Sequence, residues 1–76
     1  MSQLPQVFGP RLLRALEKAG FVLRRQRGSH PAVVHSLDMN KRAIIPLHGS
    51  KSIKPGTLNA ILKGAQISAE ELKDLL

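Results

Sequence analysis

The spacing of the apolar residues changes twice along the chain, and this constrains the fold more than any other feature of the sequence. Residues 9–19 carry an apolar stripe at helical spacing, and Gly20 is the residue type that ends helices in the left-handed conformation. Residues 21–47 change to short runs typical of β-strands. Helical spacing returns in residues 55–65 and again after Ser68. The sequence therefore predicts one helix, three strands and two further helices.

The connections between the predicted strands are short. The strand-like runs cover residues 21–26, 31–36 and 42–47. Gly28 and Ser29 separate the first two runs, and such short connections favour antiparallel pairing because parallel strands need a long crossover. We therefore predict an α+β domain over residues 1–76, ordered helix, three-stranded antiparallel sheet, helix and short C-terminal helix. Residues 1–8 are expected to form a flexible N-terminus.

The small size of the chain limits the chemistry that it can support. Its 76 residues include no cysteine, so we expect a single domain with no disulfide. A domain near this length buries only about 60% of the surface that its unfolded chain exposes. This leaves no room for a deep cavity, and we expect no cofactor. The sequence shows neither a secretory signal nor an apolar run of membrane-spanning length, so we expect a cytoplasmic protein that does not contact membranes.

The charge of the chain is strongly positive and unevenly distributed. The formal net charge is +7, and residues 1–63 hold 11 of the 12 Lys and Arg residues but only two of the five acidic residues. A basic body of this kind attracts polyanions such as RNA. Since the chain has two Phe residues and no Tyr or Trp, stacking platforms for bases are scarce. Contacts with a nucleic acid should therefore be made mainly to phosphates.

The sequence contains one histidine that is well placed for catalysis. His30 follows Arg27, Gly28 and Ser29, and so it lies beside a predicted tight turn with cations nearby. Strand alternation places His30 and His35 on opposite faces of the sheet, so the two cannot act together. An RNA substrate brings its own nucleophile, the ribose 2′-OH, and the protein need supply only an acid or base and cations. We predict that His30 is this general acid/base; the alternative is that it only orders its turn.

Further residues are candidates for auxiliary or binding roles. Candidate phosphate contacts are Arg25, Arg27, Lys51 and Lys54. The two lysines precede the N-terminus of the second predicted helix, where exposed N–H groups favour an anion; a pair of solvated loop lysines is the alternative. Ser29 and His48 are candidate auxiliary residues. A Ser29–His30 nucleophilic pair is disfavoured, because neighbouring strand residues face opposite ways. The histidine spacings of 5 and 13 residues match no usual zinc site.

Several segments, in this order, resemble the HicA toxins. They are Gly20-Phe21, Arg25-Gln-Arg-Gly-Ser-His30, Ile45-Pro-Leu-His48, Lys54-Pro-Gly-Thr-Leu58, Ala60-Ile-Leu-Lys63 and Ile67-Ser68. The resemblance runs from about residue 9 to residue 75, and the pairing of Gly-Ser-His with Lys-Pro-Gly-Thr-Leu is its most specific part. The family often has a second histidine directly after the first, where this chain has Pro31.

The resemblance implies a fold similar to the double-stranded-RNA-binding domain. It also implies a metal-independent endoribonuclease that cleaves messenger RNA, with the catalytic histidine at His30 and an antitoxin, HicB, that covers this site. Two other functions remain open on the residues alone. One is a non-catalytic RNA-binding domain of the same fold, and the other is a basic protein-interaction module.

Overall fold

The computed structural model describes residues 4–47 and 51–76. Along the chain the elements are α1 (Gly9–Lys18), β1 (Phe21–Arg27), β2 (His30–His35), β3 (Arg42–Ile44), α2 (Pro55–Ala65) and α3 (Ala69–Leu75). The three strands form one sheet in the order β1-β2-β3, and both pairings are antiparallel. The predicted α+β class and the predicted order of elements are therefore confirmed.

β3 ends three residues before its predicted end at Leu47. The chain still follows β2 beyond β3, because the N–H of Ile45 donates to the carbonyl of Pro31 at 3.0 Å and the N–H of Leu47 donates to the carbonyl of Ser29 at 2.8 Å. Pro31 has no N–H with which to return a bond to Ile45. The regular ladder therefore stops here, although the backbone remains alongside β2.

The helices pack against one face of the sheet and enclose a single apolar core. Its members are Val7, Leu12, Ala15, Leu16, Phe21, Val33, Ile45, Ile53, Leu58, Ile61, Leu62, Ala65 and Leu72. Among residues 4–47 and 51–76, no polar or charged side chain is buried. The helical stripes read from the sequence supply most of this core, as expected for amphipathic helices whose stability depends on burial.

The described part of the N-terminal segment packs against the domain. Val7 is buried, and its carbonyl accepts a hydrogen bond from the N–H of Ile53 at 2.9 Å. Phe8 forms an isolated antiparallel bridge with Ser52. The expected flexibility of residues 1–8 stays a prediction, and this packing counts against it for residues 4–8.

α3 begins with the capping box that the sequence predicts. The N–H of Glu71 donates to Oγ of Ser68 at 3.0 Å, and the N–H of Ser68 donates to Oε1 of Glu71 at 3.1 Å. Two N-terminal donors are thus satisfied within the helix itself. None of the helices in the described ranges is both long enough and apolar enough to cross a membrane.

The junction between α1 and β1 is held by a histidine. Nδ1 of His35 accepts a hydrogen bond from the N–H of Leu37 at 3.1 Å, and so Nε2 is the nitrogen that donates to the carbonyl of Ala19, also at 3.1 Å. The ring meets Phe21 edge to face, with centroids 5.2 Å apart. Gly20, next to this ring, turns the chain from α1 into β1 with φ +101°, a conformation that favours glycine. His35 therefore ties the second strand to the end of α1.

Candidate functional site

β1 contains a bulge that decides which face its arginines occupy. Leu23 lies opposite Val33 and the next pair is Arg25 opposite Ala32, so Arg24 has no partner in the ladder. A bulge inserts one extra residue into one strand. Because side chains alternate with a period of two, the extra residue moves every later side chain of that strand to the other face.

The bulge brings the arginines of β1 to the face of the sheet that the helices leave uncovered, called here the open face. Arg25 shares this face with Ala32, and Arg27 lies directly opposite His30. Uninterrupted alternation from the buried Phe21 would have turned both arginines toward the helices. Two of the predicted phosphate contacts therefore lie on the same face as the predicted catalytic residue.

His30 is the first residue of β2 and its side chain is exposed. Ser29 belongs to the turn before the strand, so the alternation rule that disfavoured a Ser29–His30 pair does not apply to it. The hydroxyl oxygen of Ser29 lies 3.5 Å from Nδ1 of His30, at the outer limit of a hydrogen bond. Gly28, at φ +54°, supplies the left-handed residue of the turn. Ser29 is thus positioned to orient the imidazole, with Nε2 on the other side of the ring.

The two strand histidines lie on opposite faces, as predicted. His35 is half-buried and pairs with the core residue Phe21, whereas His30 is exposed on the open face. Pro31, which follows His30, is buried. Because position 31 faces the core, its side chain cannot join His30 on the open face.

The N-terminus of α1 and the end of the β3 segment meet at the same end of the sheet as His30. Leu47 is hydrogen-bonded to Ser29 through its backbone. A Cβ placed on Gly9 would overlap the carbonyl oxygen of Pro46 and would lie 2.9 Å from Cδ2 of Leu47. We call this end, where Arg27, Ser29 and His30 meet Leu47, the hairpin end.

Lys51 and Lys54 belong to the connection to α2, which passes beside the start of α1. Ser52, directly after Lys51, is bridged to Phe8 beside the start of α1. The far end of α2 lies at the start of β3, where a Cβ on Gly64 would be 2.7 Å from the Arg42 carbonyl. The N-terminus of α2 therefore points back toward the hairpin end. Both lysines are exposed, and Lys54 is the N-cap of α2.

His48, the second candidate auxiliary residue, lies outside the described residues. Within residues 4–47 and 51–76, no three His, Cys, Asp or Glu side chains gather as metal ligands would. The site that the described residues form thus has one imidazole with an arginine, Arg27, directly opposite it across the hairpin. Such a site suits a polyanionic substrate that carries its own nucleophile.

The structure adds residues to the open face that the sequence reading did not single out. Arg24 and Arg42 border a groove there, together with the exposed side chains of Met39 and Ile44. Arg42 could have been placed by strand pairing, because it lies opposite Val34 on β2. Arg24 could have been placed by alternation from the buried Phe21, because the bulge changes the face only of the residues that follow it.

The comparison with known families agrees with the sequence resemblance. The model of the family described as the HicA toxin of bacterial toxin–antitoxin systems matches residues 9–67. The matched range contains α1, the whole sheet and α2, and therefore the hairpin end with all of its candidate residues. No curated protein matches the chain.

Proposed function

Because the chain belongs to the HicA toxin family, we propose that it is a toxin that acts as a metal-independent endoribonuclease on messenger RNA. His30 is the general acid/base, and a cognate antitoxin of the HicB type inhibits it. The observation that supports this proposal best is the pairing of exposed His30 with Arg27 across the hairpin, on the open face. A proton-transfer group and a fixed positive charge thereby stand side by side.

The reaction that fits these groups is transesterification within the RNA. The 2′-oxygen attacks the adjacent phosphorus, the bond to the 5′-oxygen breaks, and a 2′,3′-cyclic phosphate and a 5′-hydroxyl are formed. The proton leaves the 2′-OH and the 5′-oxygen gains one, so a single imidazole can take part as base or as acid. Nδ1 of His30 faces the Ser29 hydroxyl, which orients the imidazole for this proton exchange.

The cations at the hairpin end stabilise the charge that develops on the phosphorus. By strand position, Arg27 is the cation nearest to His30. Arg25 lies two residues before Arg27 in β1, on the same face. A guanidinium can bind two phosphate oxygens at once. Lys51 and Lys54 add charge near the N-terminus of α2, where free N–H groups also favour a phosphate. We propose that these four side chains hold the RNA backbone across His30.

The proposal predicts cleavage without a metal. In excess EDTA, the purified protein should cut single-stranded RNA and leave 2′,3′-cyclic phosphate and 5′-hydroxyl ends, because the substrate supplies the nucleophile. The same oligonucleotide with 2′-O-methyl riboses is the matched control and should stay intact. Mass spectrometry of the products identifies the ends.

Different outcomes of that experiment point to different functions. A requirement for a divalent cation, or products with a 5′-phosphate, would contradict the proposed chemistry. Retention of the RNA without any cleavage would favour a non-catalytic RNA-binding domain. Absence of RNA affinity at physiological salt would favour a protein-interaction module.

The proposal also predicts the salt dependence of RNA binding. Replacing Lys51 and Lys54 together with Ala should weaken binding regardless of RNA sequence. It should also flatten the plot of log affinity against log salt by up to about 0.7 for each lost phosphate contact. Lys63→Ala, an exposed lysine near the other end of α2, is the control. An unchanged slope in the double variant would remove these lysines from the proposed site.

A further inference from the structure

A groove of about 640 Å³ crosses the open face of the sheet. Its lining includes the apolar side chains of Val34, Met39 and Ile44 and the charged side chains of Arg24, Arg25 and Arg42. Ile44 is 61% exposed and Met39 is 64% exposed. The core lies on the other face, so this apolar surface contributes nothing to the packing of the domain.

Contiguous exposed apolar surface bordered by charges is typical of a site that another molecule covers. The charge of the groove disfavours a second copy of the chain as its occupant. Two such faces would bring three arginines against three arginines, and these would repel each other. The acidic helix α3 of another copy is not suited either, since the apolar residue at its centre, Leu72, is fully buried in its own domain. None of the described residues that line the groove is acidic.

The chemistry of the groove also favours a protein over an RNA strand as its occupant. Its apolar side is aliphatic, whereas bases are held on protein surfaces by stacking on aromatic rings. Phe21 is buried in the core, and Phe8 lies at the start of α1, away from the groove. Aliphatic side chains flanked by arginines complement a segment that is apolar on one side and acidic on the other.

We propose that this groove docks an acidic, amphipathic segment of the antitoxin. The aliphatic side chains of the segment pack on Val34, Met39 and Ile44, and its carboxylates pair with Arg24 and Arg42. The identity of the partner rests on the proposed function, whereas the chemistry of the segment rests on the groove alone. Since Arg25 and Arg27 connect the groove to His30 on one face, a segment seated here also bars RNA from the histidine.

The test uses a toxin variant that carries Arg42→Glu and Ile44→Ser, with Lys63→Glu as the matched charge reversal on α2. Calorimetry with the purified cognate antitoxin should show binding that is roughly 100-fold weaker or worse for the groove variant, because the reversed charge meets acidic groups. Lys63→Glu should bind like the unmodified chain. In cells, the groove variant should escape neutralisation by the antitoxin and still arrest growth when expressed alone.

Several results would overturn the inference. One is unchanged antitoxin affinity in the groove variant. Another is a solution dimer of the unmodified chain that the groove substitutions dissociate, which would make a second copy the occupant. A third is loss of RNA affinity with antitoxin affinity intact, which would assign the groove to RNA. Met39→Ser replaces the double variant if circular dichroism shows that the latter is unfolded.

Failure of the proposed function has a different signature. In that case the unmodified toxin neither cuts RNA nor arrests growth, yet its antitoxin affinity still depends on the groove. Antitoxin affinity thus tests the groove, and RNA cleavage tests the enzyme.

Discussion

Replacement of His30 by alanine should lower the rate of RNA cleavage by about 10²–10⁴-fold, the usual contribution of a general acid or base. The side chain is exposed and contributes nothing to the core, so the variant should fold and melt like the unmodified protein. RNA affinity should persist, because Arg25, Arg27 and the two lysines are the proposed phosphate contacts. Cleavage of a labelled RNA, filter binding and thermal melting measure the three properties separately.

His35 provides the control on the same strand. His35→Ala removes the hydrogen bonds with Ala19 and Leu37 and the edge contact with Phe21, so it should lower the free energy of unfolding. At a temperature where this variant is still folded, it should cleave RNA at the unmodified rate. A folded His30→Ala variant that still cleaves RNA at the unmodified rate would contradict the assignment of His30 as the general acid/base.

Gly20→Ala should lower the free energy of unfolding, because both the backbone conformation of Gly20 and the ring of His35 oppose an added methyl group. Gly20 has φ +101°, a conformation that costs other residues about 1–3 kcal/mol. The added Cβ would also lie 2.9 Å from Nε2 of His35, which displaces the ring from the Ala19 carbonyl. We expect a total loss of about 2–4 kcal/mol in the free energy of unfolding, measured by denaturant titration.

Gly56→Ala is the matched control for Gly20→Ala. A Cβ on Gly56 meets nothing within 4 Å, and its φ lies outside the left-handed region. In the first turn of α2, alanine should therefore leave stability unchanged or raise it by about 0.5–1 kcal/mol. If Gly20→Ala unfolds at the same denaturant concentration as Gly56→Ala, the contact between residue 20 and the ring of His35 does not limit the stability of the fold.

The parts of the fold that depend on local signals could be predicted from the sequence. The Ser68–Glu71 capping box, the apolar stripe of α2 and the short turn before His30 each depend on residues that are close in the chain. The opposition of His30 and His35 follows from the period of a strand alone.

The parts that depend on pairing between strands could not be predicted in the same way. Strict alternation along β1 from Phe21 turns Arg25 and Arg27 toward the helices, and only the unpaired Arg24 reverses this. The early end of β3 depends on which residue of that segment meets Pro31. The position of the segment with Lys51 and Lys54 beside the start of α1 required the bridge between Phe8 and Ser52, which joins distant parts of the sequence.

The bulge at Arg24 also has a consequence for the behaviour of the protein at high concentration. β1 is an edge of the sheet, and an edge strand presents backbone groups that can pair with another molecule and start aggregation. A bulge interrupts the flat ladder that such pairing needs, and adjacent cationic side chains repel a second edge of the same kind. We therefore expect Arg24 and its neighbours to protect this exposed strand from pairing with another copy of the chain.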